Sequence, residues 1–80
     1  MIRADVTTRI ARLMEDVFDL DELAYEETLS AADIEEWDSL SNIRFVVAIE
    51  KEFGVRFSNS EVAGLDNVGQ MVDLIISKAA

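Results

Sequence analysis

The chain has neither cysteine nor histidine. Without cysteine, no disulfide can staple the core and no thiolate can ligate a metal or attack a substrate. Without histidine, a serine lacks its usual general base, so the serine-hydrolase arrangement is excluded. Proline is absent and only three glycines occur, a composition suited to helices joined by a few loops. No apolar run approaches the roughly 18–20 residues that span a bilayer. The opening Met1-Ile2-Arg3-Ala4-Asp5 lacks the apolar core of a signal peptide. Membrane insertion is therefore not expected, and a cytoplasmic location is. Positive charge is also scarce: seven Lys and Arg stand against seventeen Asp and Glu, a formal charge of −10. That balance disfavours nucleic acid and anionic lipid as partners. It favours partners with basic docking surfaces and fast, salt-sensitive encounters.

What is present points to helices. Half the residues are hydrophobic, and 80 residues suffice for one domain, spanning 1–80, with a single modest core. A monomer is expected. The acids are unevenly placed: eleven of the seventeen lie between Glu15 and Asp38, and no Lys or Arg lies between Arg12 and Arg44.

Val6, Ile10, Leu13 and Val17 recur at helical spacing. They predict a first helix over about residues 4–18, with Asp5 as its N-cap. Residues 19–37 form a connection longer than is usual in compact domains. Leu20, Leu23, Tyr25, Leu29, Ile34 and Trp37 punctuate it, so it reads as an ordered loop pinned across the bundle, with one helical turn at residues 30–35. A second helix begins near Ser39. Leu40, Ile43, Val46 or Val47, and Phe53 mark its expected buried stripe, widened by Ala48 and Ile49. Asp38 suits its N-cap, with Ser39 the alternative cap, and Gly54 reads as the left-handed residue that ends it. Ser58-Asn59-Ser60-Glu61 has a capping-box pattern and opens a helix that Gly64 soon stops. Asn67 caps a last helix, running to about Lys78 on the apolar face of Val68, Met71, Val72 and Ile75. The expected fold is all-α: a four-helix bundle with a short third helix and a long loop between the first two.

The inventory excludes most enzyme chemistry. Lys51 lies about 18 Å along the helix from Ser39 and cannot serve it as a base. Asp19-Leu20-Asp21-Glu22 lacks the spaced ligands and central glycine of an EF-hand loop, so no metal site is expected. Trp37 reads as a loop anchor, and Met14 and Met71 as core. Ser39 remains, beside an acid at a helix start, as a residue on which something else acts.

The order of helix, acidic loop, Asp38-Ser39-Leu40 at a helix start, aliphatic helix ending in Glu52-Phe53-Gly54, short helix and final helix resembles the acyl carrier protein family. The best-matching span runs from Trp37 to Val55. The resemblance implies a non-enzymatic carrier with 4′-phosphopantetheine, taken from coenzyme A by a phosphopantetheinyl transferase, on Ser39. It implies that Asp38 assists the transferase complex and that Leu40 and Ile43 line the base of the arm and the partner-facing edge. Arg44, Glu50 and Lys51 would face partner enzymes that transfer or ligate acyl groups, Glu50 and Glu52 keeping the acids usual on this helix. Arg44 and Lys51 stand where the family commonly has acids, and Trp37 where it has a small residue. These departures suggest a specialised discrete carrier, in fatty-acid-like, polyketide or other dedicated biosynthesis. The alternatives are an aminoacyl or peptidyl carrier and, from another class, a small helical adaptor without a prosthetic group.

Overall fold

A computed structural model describes residues 2–79; Met1 and Ala80, the ends of the expected 1–80 domain, lie outside the described residues. Four helices follow one another: α1 (Arg3–Val17), α2 (Ser39–Phe53), α3 (Asn59–Ala63) and α4 (Val68–Ala79). The helix α1 packs against both α2 and α4. Among the described residues, no helix is long and apolar enough to cross a membrane.

Helix α1 begins earlier than expected. Its N-cap is Ile2, whose carbonyl accepts from the Asp5 and Val6 amides, and Arg3 and Ala4 are good helix formers that extend the first turn. Asp5 sits inside that turn, where a carboxylate still complements the helix dipole. The buried stripe is Val6, Ile10 and Met14, continued by Phe18, while Leu13 and Val17 flank it. Beyond Phe18, Asp19 adopts φ 54° and the Leu20 amide reaches back to the Glu15 carbonyl at 2.9 Å. This is the Schellman ending with Asp in the left-handed position. The same motif closes α2, where Gly54 has φ 65° and the Val55 amide bonds the Glu50 carbonyl.

The inward face of α2 keeps Ile49 and Phe53 of the expected stripe but not its first half. Phe45, Ile49 and Phe53 are buried, whereas Leu40, Ile43 and Val47 are 62%, 61% and 42% exposed. Residues 43–49 are apolar at every position except Arg44, so spacing alone cannot set the helix phase. The Phe45 ring settles it by joining Phe18 and Trp37.

The connection between α1 and α2 is ordered. Ile34 is buried, and Leu20, Leu23, Tyr25, Leu29 and Trp37 pack against the core. Residues 31–33 form a turn rather than a helix, closed by the Asp33 carboxylate accepting from the Ser30 amide. The loop also caps α4. The Val68 and Gly69 amides donate to the Leu29 and Glu27 carbonyls, both at 2.8 Å, and the Gln70 amide donates to Asn67 Oδ1. Gly69 is needed for this approach, since a Cβ there would lie 3.0 Å from the Glu27 backbone oxygen and Cβ. Arg3 completes the clamp, pairing with Glu27 and, at 2.6 Å, with Asp73. The Ser58–Glu61 capping box forms as read from the sequence.

Candidate functional site

Ser39 is the first residue of α2 and is exposed. Asp38 is the N-cap: its backbone is extended, its Oδ1 accepts from the Ser41 amide at 2.8 Å, and its carbonyl accepts from the Asn42 amide at 2.9 Å. Asp38 therefore holds the cap, which leaves the Ser39 hydroxyl free of that duty. The Ser41 amide also holds the Asp38 carboxyl below the usual carboxylate range, so it is ionised at neutral pH.

The residue before this cap is anchored firmly. The Trp37 indole donates to Asn42 Oδ1 at 2.9 Å. Its ring stacks on Phe18 with centroids 5.2 Å apart and meets Phe45 edge-on at 5.5 Å. Trp37 thus ties the end of the loop to α1 and α2 together, and fixes where the chain enters the Asp38-Ser39 step. Asn42 is a partner that sequence reasoning missed. It lies five residues on, and only the folded geometry brings its amide under the indole.

Beside Ser39 opens a cavity of about 460 Å³. Trp37, Phe45, Val62, Leu65 and Met71 give it an apolar lining, and Asp38, Asn42 and Asn67 supply polar groups at its edge. Its volume lies in the range of small-molecule sites. Val62 and Leu65 had no sequence signal of a site, because they reach the cavity from α3 and the turn after it.

The remaining site candidates separate. Leu40, Ile43, Arg44 and Lys51 are exposed on the outward side of α2. Glu50 does not join them as a free acid: half-buried, it accepts from the Phe57 amide at 2.9 Å. Glu52 is likewise engaged, paired with Arg9 at 2.7 Å.

Comparison with known proteins bears on this arrangement. Residues 8–75 match the family described as "Phosphopantetheine attachment site". The acyl carrier protein of Acidothermus cellulolyticus is 34% identical over 73 residues, covering 91% of this chain and 87% of that protein. The acyl carrier protein of Thermosynechococcus vestitus is 28% identical over 86 residues, spanning this whole chain and 99% of the relative. The solution NMR structure of holo acyl carrier protein from Geobacter metallireducens superposes with a TM-score of 0.85 at 33% identity, over 91% of this chain and 84% of that one. With a serine presented at a helix start inside the matched span, and a fold shared along nearly its full length, this chain belongs to the acyl carrier protein family, whose members are carriers rather than enzymes.

Proposed function

We propose that this chain is a discrete acyl carrier whose 4′-phosphopantetheine is attached through the hydroxyl of Ser39. The observation that carries the reading is the exposed Ser39 side chain at the start of α2, released from capping by Asp38 and set at the mouth of an apolar cavity. The residues fit the group. A phosphodiester on Ser39 lies at a helix N-terminus, where free amides and the macrodipole favour negative charge by about 0.3–1 kcal/mol. Asp38 and Glu36 oppose it in part, which keeps the phosphate at the surface and the arm mobile. When bound, the arm supplies the thiol that carries acyl groups as thioesters, a group this cysteine-free chain lacks.

The chain's own residues supply placement. Trp37 and Asn42 hold the entry to α2, Asp38 presents Ser39 and offers a carboxylate to the transferase complex, and the cavity shelters apolar cargo next to the attachment point. The exposed acids Glu35, Glu36 and Asp38 lie just before Ser39 and give the loop side of the attachment point a negative charge that orients an approaching enzyme. The cargo belongs to fatty-acid-like, polyketide or other specialised biosynthesis.

Incubation with coenzyme A, magnesium and a broad-specificity phosphopantetheinyl transferase, followed by intact-mass measurement, tests the reading. The expected result is one phosphopantetheine per chain, and none on Ser39→Ala, which keeps the fold. No gain in mass refutes the carrier, and a gain retained by Ser39→Ala refutes the site.

A further inference from the structure

The outward side of α2 combines two features that the fold does not use. The first is apolar. Leu40, Ile43 and Val47 are the large hydrophobic residues that this helix leaves exposed. The second is cationic. Three of the seven basic side chains are held in ion pairs: Arg3 with Glu27 and Asp73, Arg9 with Glu52, and Lys78 with Glu61. Arg12, Arg44, Lys51 and Arg56 form none among the described residues. Leu40, Arg44, Val47 and Lys51 follow one another at i, i+4, i+7 and i+11, a single helical stripe opposite Phe45, Ile49 and Phe53. Val47 and Lys51 share a shallow depression with Arg56, which extends the cations past the end of the helix. Glu50 borders that depression, but its carboxylate is taken by the Phe57 amide, and Glu52 is taken by Arg9. The two acids of α2 are thus engaged within the fold, and the free charges on its outward side are positive.

We propose that this stripe is a docking surface for partner enzymes that present an apolar socket rimmed by carboxylates. Arg44, Lys51 and Arg56 pair with that rim, while Leu40, Ile43 and Val47 fill the socket. The proposal rests on the carrier reading and specifies the partner's chemistry. A chain of formal charge −10 meets its partner through its positive side, and the acidic loop fixes the orientation by repelling the same rim. An oriented charge pattern of this kind selects partners and speeds encounter more than it adds affinity.

The test uses protein modified at Ser39 and a panel of purified carrier-dependent acyltransferases and acyl ligases with known surface charge around their entrances. Acyl loading is measured for wild type, the Arg44→Glu/Lys51→Glu double variant, Leu40→Ala/Val47→Ala, and Arg12→Glu as an unpaired cation on a different helix. For enzymes with an acidic rim, the double reversal is expected to raise KM about ten-fold or more with kcat retained. That penalty should shrink in high salt. Changing a rim carboxylate to Lys should restore loading of the reversed carrier, and Leu40→Ala/Val47→Ala should raise KM without the salt dependence. A panel in which no enzyme distinguishes the double reversal from wild type overturns the proposal, as does an equal effect of Arg12→Glu. Dimers of the wild type in sedimentation that vanish on Leu40→Asp overturn it in favour of a second copy as the occupant. Failure of the carrier reading is separate: it appears as absence of phosphopantetheine on wild type, before any loading is measured.

Discussion

Helices α1 and α2 are both fifteen residues long, and they use their side chains differently. Helix α1 turns Val6, Ile10 and Met14 inward and leaves no large hydrophobic exposed along its length. Two of its three arginines are fixed by ion pairs to distant segments. Arg9 does this most fully: it bonds the Glu52 carboxylate, donates to the Glu52 carbonyl at 2.8 Å and lies 4.5 Å over the Phe53 ring. Helix α2 buries as many residues but keeps a second apolar set facing outward, beside cations that form no ion pair among the described residues. One helix is committed to holding the bundle. The other presents a residue and a surface to something outside it.

The sharpest way to break this comparison is to truncate both sides of α2. Phe45→Ala removes a fully buried ring and should cost about 3–5 kcal/mol, a large share of the stability of a domain this size. Leu40→Ala or Val47→Ala should stay within about 0.5 kcal/mol. Chemical denaturation of the three variants decides it, and comparable losses would mean that the outward set is structural.

The cap comes next. Asp38→Asn keeps a side-chain oxygen for the Ser41 amide, whereas Asp38→Ala does not. Asn should therefore hold the melting temperature near wild type while slowing phosphopantetheine transfer. Ala should both slow transfer and lower the melting temperature by several degrees. Because the folded carboxyl titrates below its ordinary value, the cap's contribution is complete above the unfolded pKa and is lost as pH falls through the folded one. Wild type and Asp38→Ala should accordingly converge in acid.

A smaller contrast separates arginines. Arg9→Ala should cost about 1 kcal/mol through its lost ion pair and ring contact, and Arg44→Ala almost nothing. Thermal melts at low and high salt would show whether α1 alone relies on its cations. The smallest effect concerns Tyr25 in the loop. Its hydroxyl is buried without a hydrogen-bond partner among the described residues, and burial holds the phenol above its ordinary pKa of 10.0. The neutral phenol's contribution is complete below that ordinary value and is lost as pH rises through the higher folded one. Tyr25→Phe should leave stability unchanged or slightly raised at neutral pH, and should remove this part of the alkaline decline.

Local chemistry made much of this legible in the sequence. Asp38, Ser58–Glu61 and Gly54 act within a few residues of themselves, so cap signals revealed three helix boundaries and the setting of Ser39. Asp19 does the same work as Gly54 without a glycine's signature, so the end of α1, expected at about residue 18 and found at Val17, is read from hydrophobic spacing and not from a cap. The facing of α2 was hidden for another reason: a helix apolar on most sides satisfies several phases at once, and only the aromatic contacts of Phe45 choose among them. The cavity, the Trp37–Asn42 bond and the engagement of Glu50 depend on segments meeting in space, which spacing cannot convey.

The setting of Trp37 has an optical consequence. It is the chain's one tryptophan, wedged between Phe18 and Phe45 with its indole N–H bonded, at the wall of the cavity that adjoins Ser39. Its fluorescence is therefore a built-in gauge, requiring no label. An acyl chain that enters the cavity touches the fluorophore, and one that stays in solvent leaves the emission as it was, so the location of each cargo can be read from a single intrinsic signal.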